Sequence, residues 1–181
     1  MLVVHYFESY MKVIFTTLVS ILFFTSLSFS TLANDNAELP LYSQHYDAKR
    51  NPFDDARAAL TLAQETNRNV LMVVGGNWCA FCMEMERFWK ENKQVNQEIH
   101  RKFVILKINV SDENENTGFM ASMPPTNGYP HLYISSAAGK ILLSKDALDQ
   151  QVDGKHQAPL WLTFIDKWQA NTIDQIALNT Q

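Results

Sequence analysis

Cysteine is nearly absent from this sequence, with two in 181 residues. That excludes a small domain held by a framework of disulfides. Glycine and proline, six of each, are too few for collagen-like or low-complexity sequence. Basic runs are missing as well. None exceeds Lys49-Arg50 or Arg101-Lys102, and the net charge of −4 argues against a nucleic-acid binder held by a basic face. There is no internal repeat. What the chain does have is apolar material, 46% hydrophobic against 19% charged, which is enough for a core and excludes a disordered chain. The length suits one domain with an additional terminal segment.

That segment is visible at the start. Val13 to Ser30 carries no charge, Lys12 precedes it, and Thr31-Leu32-Ala33 follows with small residues at the two sensitive positions. A basic start, an apolar middle and a small-x-Ala exit predict a secretory signal peptide over residues 1–33, with cleavage after Ala33. Met11 is an alternative start, which would make residues 1–10 an extension. The competing reading is a retained membrane anchor over residues 13–30. Export implies an oxidising compartment, most simply the bacterial periplasm, so a lone cysteine pair there needs an explanation.

Residues 34–50 are polar, show no period and read as an extended lead-in to a domain over residues 51–181. Asn51-Pro52 has the form of a capped helix start, followed by Phe53, Ala56, Leu60 and Ala63 at helical spacing, with Ala59 and Leu62 beside them. Val70–Val74 is apolar throughout and too short for a helix, so it reads as a strand buried on both faces. Gly75-Gly76-Asn77 breaks it. A helix then starts near Cys79, with Phe81, Met85 and Phe88 on one stripe and Cys82, Met85 and Trp89 beside it. A shorter helix over Gln94–His100 leads to a second buried strand, Phe103–Ile108.

Residues 110–129 form a long connection. Strands at His131–Ile134 and Ile141–Leu143 flank an Ala138-Gly139-Lys140 turn. Pro159 opens a last helix, whose Leu160, Trp161, Phe164, Ile165 and Trp168 read as core. The order predicts an α/β fold with a mixed central sheet, helices on its flanks and an extra N-terminal helix.

The chemistry concentrates in Cys79-Ala80-Phe81-Cys82. At a helix N-terminus, unpaired N–H groups and the dipole favour a Cys79 thiolate. Cys82 lies one turn on along the same face, close enough for a disulfide. Cys79 could then attack a substrate disulfide and Cys82 could resolve the mixed disulfide. A zinc site would need two further ligands, and His100 and His131 lack ligand spacing. Covalent haem attachment would need His where Met83 stands. Neither a metal nor an organic cofactor is expected.

With these residues in view, the chain resembles the thioredoxin superfamily, in particular exported thioredoxin-like proteins with a Trp-Cys-x-x-Cys motif. The matching segments are Val70–Val74, Trp78–Cys82, Phe103–Asn109 and Gly128-Tyr129-Pro130, within a span of about residues 52–170. The resemblance implies a cis-proline at Pro130 against the cysteine pair, Tyr129 and Pro130 lining a substrate groove, and Trp78 shielding the pair. An ordinary strand-start proline is the alternative for Pro130. The sequence also departs from the family. Val73 stands where classical thioredoxins carry a buried Asp, which leaves the proton acceptor for Cys82 open between water and Glu86. On sequence alone, Glu84 and Glu86 read as surface charges. Ala80-Phe81 lacks both Gly-Pro and the His of strong oxidants. Phe119, Met120 and Met123 are either adaptable substrate contacts or loop packing.

The leading expectation is an exported thiol–disulfide oxidoreductase, closer to a reductase or isomerase than to a primary oxidase. Its partners would be thiols and disulfides of other exported proteins, together with a membrane redox partner that resets it. A non-catalytic binding or chaperone module on the same fold is the alternative. A third reading is a structural disulfide, although so short a loop stabilises little.

Overall fold

The computed structural model describes residues 38–170, so the expected signal peptide and the final residues lie outside the described part. From Leu39 onward the described residues form one compact unit. Its elements in order are α1 (Leu41–Gln44), α2 (Pro52–Thr66), β1 (Asn69–Gly75), α3 (Ala80–Glu91), α4 (Lys93–Lys102), β2 (Phe103–Asn109), α5 (Thr117–Met120), β3 (His131–Ser135) and β4 (Ile141–Asp146). A 3-10 turn (Ala147–Gln150), a two-residue hairpin β5 (Gln151–Val152) and β6 (Lys155–His156), and α6 (Ala158–Trp168) complete it. No helix among the described residues is long and apolar enough to cross a membrane.

The main sheet has the order β2-β1-β3-β4, with β1 parallel to β2 and antiparallel to β3. The parallel pair needs a crossover, which α3 and α4 supply. Every residue of β1 is buried, because both faces of this central strand are covered. Alternation then divides the core in two. Leu71 and Val73 join Ile105, Leu132, Met85, Trp89 and Trp161 on one face. Val70, Met72 and Val74 join Ala59, Ala63, Leu106 and Tyr133 on the other. A fully buried Leu or Ile in either layer contributes about 1.5–3 kcal/mol relative to exposure.

Helix boundaries follow local chemistry. The Asn51 side chain accepts the Phe53 N–H at 3.0 Å, and Asn67, in the left-handed conformation, ends α2. Asn92 closes α3, and its side chain caps α4 by accepting the Val95 N–H. Between β3 and β4, Gly139 takes φ +84°, a conformation most side chains avoid.

Four expectations change in the folded chain. The lead-in is not simply extended, since it contains the turn α1 and buries Tyr42, Ser43 and Tyr46. One helical turn is too short to leave a period. Phe53 is 45% exposed, because the buried face of α2 is centred on Ala59 and Ala63, and its ring instead meets Phe119 edge-on. Phe81 is likewise 53% exposed, since Cys82, Met85, Glu86 and Trp89 form the inward stripe of α3. Within the long connection, Thr117–Met120 makes one helical turn, and Phe119 packs into the core with Met120 and Met123 against it.

Candidate functional site

The site is assembled at the end of β1 where Gly75 and Gly76 leave the sheet. A side chain is excluded at both positions by proximity. A Cβ on Gly75 would stand 2.5 Å from Cys82 Sγ, and one on Gly76 would stand 2.5 Å from the indole nitrogen of Trp78. The turn is held by backbone and side-chain bonds together. Val110 N–H donates to the Gly75 carbonyl at 2.7 Å, and Cys79 N–H donates to the Gly76 carbonyl at 3.0 Å. Asn77 Nδ2 donates to the Tyr46 carbonyl at 3.0 Å.

Cys79 is the residue from which α3 starts, and its sulfur accepts the Cys82 N–H at 3.1 Å. The two cysteines form a disulfide, with Cα atoms 5.2 Å apart. Cys82 is fully buried, whereas Cys79 keeps 4% of its surface exposed. The Cys82 N–H at the helix start therefore faces the Cys79 sulfur, and with the helix dipole it would favour a Cys79 thiolate after reduction.

Around this pair, Trp78 is 61% exposed and anchored by its indole N–H, which donates to the Val110 carbonyl at 2.7 Å. Its ring meets Tyr129 edge-on, with centroids 6.0 Å apart. The Tyr129–Pro130 peptide bond is cis, and the Pro130 carbonyl accepts the Ala147 N–H. His131 pairs with Val74 in the β1–β3 register, which sets Tyr129-Pro130 beside the end of β1. A cavity of about 770 Å³ opens beside Trp78 and Tyr129, with Met120 in its wall and Asp112, Glu113 and Glu115 adding negative charge.

The inner side of the site corrects one expectation. Glu86, read from sequence as a surface charge, is buried and forms an ion pair with Lys107 Nζ at 2.8 Å. It stands four positions after Cys82, so both lie on the inward face of α3. Lys107 belongs to β2 and stands opposite Val73 in the β1–β2 register. Burial pulls the Lys107 ammonium below its ordinary value, and the Glu86 carboxylate opposes that fall. The same ammonium donates to the Gln44 carbonyl at 2.9 Å and lies 5.4 Å from the centre of the Tyr46 ring.

Tyr46 was not singled out in the sequence, because nothing in its polar neighbourhood signals burial. It is 1% exposed, and burial together with the Glu86 charge holds its phenol well above the ordinary value. Among the described residues no cluster of three or more His, Cys, Asp or Glu has the arrangement of a metal site.

A family model described as thioredoxin-like matches residues 51–137. A disulphide isomerase from Xylella fastidiosa Temecula1 has a similar structure, with a TM-score of 0.58 and 22% identity over 72% of this chain and 96% of the other. The oxidised C-terminal domain of Neisseria meningitidis DsbD is also similar, with a TM-score of 0.52 and 16% identity over 66% of this chain and 97% of that one. No curated protein matches the sequence.

Proposed function

We propose that this thioredoxin-like chain is an exported thiol–disulfide oxidoreductase, with Cys79 as nucleophile and Cys82 as resolving thiol. The observation that carries the reading is the Cys79–Cys82 disulfide at the start of α3, with Cys79 retaining 4% exposure and Cys82 none. In the reducing direction the Cys79 thiolate attacks a substrate disulfide. One substrate sulfur leaves as thiolate and takes up a proton. Cys82 then loses its proton and attacks Cys79 Sγ, which re-forms the internal disulfide and expels the second substrate thiolate. That thiolate takes up a proton as well, so counted from the dithiol the pair loses two electrons and two protons and the substrate gains them.

Trp78, Tyr129 and Pro130 form the substrate surface in this reading, and the neighbouring cavity receives the chain that flanks the substrate disulfide. Glu86 is the acceptor for the Cys82 proton, in place of the carboxylate that Val73 cannot supply. The export signal expected over residues 1–33 puts the substrates among other exported proteins, in the periplasm, with a membrane redox partner returning electrons. The Ala80-Phe81 dipeptide supports a reductase- or isomerase-like role over that of a primary oxidase.

Equilibrating the protein in buffers of graded potential and counting free thiols by alkylation tests this. A two-electron transition between about −120 and −270 mV is expected, nearer the lower end for a reductant. A disulfide that persists below about −300 mV would be structural and would overturn the reading.

A further inference from the structure

The structure buries a phenol with no stated task beside the second cysteine. Tyr46 comes from the segment before α2, is 1% exposed, and its hydroxyl has no hydrogen-bond partner among the described residues. A buried hydroxyl without a partner is destabilising, so one that persists calls for an explanation. Its position supplies one. The point where a Gly75 Cβ would sit lies 2.5 Å from Cys82 Sγ and 3.3 Å from the Tyr46 hydroxyl oxygen, so both atoms border the space that glycine leaves open.

We propose that Tyr46 is a positioning residue for the resolving step: its O–H donates to the Cys82 sulfur once that sulfur is a thiolate. In the disulfide the two groups are not in hydrogen-bonding geometry, and the contact forms once the sulfur is released from Cys79. In the mixed disulfide between Cys79 and substrate, Cys82 is free, and its negative charge gives the phenol a strong acceptor. The proton of Cys82 leaves to Glu86, the thiolate attacks Cys79 Sγ, and the substrate thiolate departs, so Tyr46 neither gains nor loses a proton. The inference rests on the oxidoreductase reading.

The surroundings suit a donor that stays neutral. The groups facing the phenol are Glu86 and Cys82 from α3 and Lys107 from β2. Burial and the Glu86 carboxylate both disfavour phenolate, so the hydroxyl keeps its proton at any pH where the enzyme works. Lys107 stacks over the ring and ties the segment to β2 through the Gln44 carbonyl, which fixes where the hydroxyl points. Asn77 does the same from the other side by donating to the Tyr46 carbonyl.

The test is the titration of Cys82 alone. In Cys79→Ser protein, the Cys82 Cβ chemical shift is followed by NMR against pH, with and without Tyr46→Phe. Loss of a hydrogen bond to a charged sulfur is expected to raise the midpoint by about one pH unit. In the protein that retains Cys79, the thiolate fraction then falls about tenfold near neutrality. The more basic sulfur recovers about threefold of this, so resolution of a trapped mixed disulfide slows about threefold. Coincident midpoints would overturn the proposal. Should Tyr46→Phe fail to fold, a ring-fluorinated tyrosine at position 46, a stronger donor, must lower the midpoint instead. If the unsubstituted protein turns over no disulfide, the oxidoreductase reading fails, yet the midpoint comparison still decides the contact.

Discussion

Glu86 and Lys107 meet at 2.8 Å on the sheet face that carries the disulfide, with side chains 10% and 6% exposed. Because Lys107 stands opposite Val73, the pair delivers charge from helix and neighbouring strand to a place where β1 itself is apolar. Charges this far out of water are tolerated only in company. Lys107→Met is therefore expected to destabilise the fold by about 3–5 kcal/mol, because it strands a buried carboxylate. The double variant Glu86→Leu/Lys107→Met should cost less than Lys107→Met alone. Urea unfolding of the three proteins checks this, and equal losses in the single and double variants would contradict it.

The difference in exposure between the cysteines predicts different trapping. With a disulfide-bonded protein substrate, Cys82→Ser is expected to accumulate a mixed disulfide through Cys79, whereas Cys79→Ser should not, since Cys82 is fully buried. Non-reducing electrophoresis separates the two outcomes. A mixed disulfide formed equally well by both variants would reverse or abolish the proposed roles.

Gly75→Ala places a methyl group 2.5 Å from Cys82 Sγ, a sulfur tethered by the disulfide and unable to retreat freely. Overpacking of this kind costs about 1–3 kcal/mol. The expected result is a lower melting temperature for the oxidised protein and a smaller loss after reduction, which frees the sulfur. Calorimetry of both redox forms would reveal it.

Trp78→Ala is expected to leave the stability within about 1 kcal/mol, because the side chain is 61% exposed and loses one hydrogen bond. Its effect should fall on recognition. Reaction with protein disulfides should slow several-fold while reaction with a small-molecule disulfide stays close to the parent rate. Parallel losses with both substrates would instead place Trp78 in support of the cysteine pair.

Three histidines make the fold less stable on the acid side. Desolvation holds His100, His131 and His156 below the ordinary value of 6.5. Each is harder to protonate in the folded chain than in the unfolded one, so the unfolded state binds more protons as pH falls. Their contribution is fully present above 6.5 and is lost as pH drops from there toward the depressed folded values. Urea midpoints measured between about pH 7.5 and 5 should decline, and a His156→Gln variant should decline less steeply.

The sheet, the placement of the cysteines at a helix start and the Asn51-Pro52 cap were legible because each has a local signature. Val70–Val74 is too apolar and too short to be anything but a covered strand, and Cys79 follows the Gly75–Asn77 turn directly. Tyr46 and Glu86 were not legible. Their burial depends on Lys107, which is distant in sequence from both and looks like an ordinary polar interruption of a strand. Phe53 and Phe81 misled for the opposite reason. Both are aromatic residues at plausible helical spacing, but each helix is rotated so that smaller residues, Ala59 and Cys82, face the sheet.

The Ser43 hydroxyl donates to the Ile105 carbonyl of β2, the outermost strand on its side of the sheet. A bare strand at a sheet margin invites another chain to continue the ladder, and natural proteins block this by covering the margin or occupying its hydrogen-bonding groups. The turn α1 packs there and occupies one such group, the Ile105 carbonyl. The segment that brings Tyr46 to the cysteines therefore also lies on the open margin of the sheet, so its loss would uncover a strand edge of the kind that pairs with other chains.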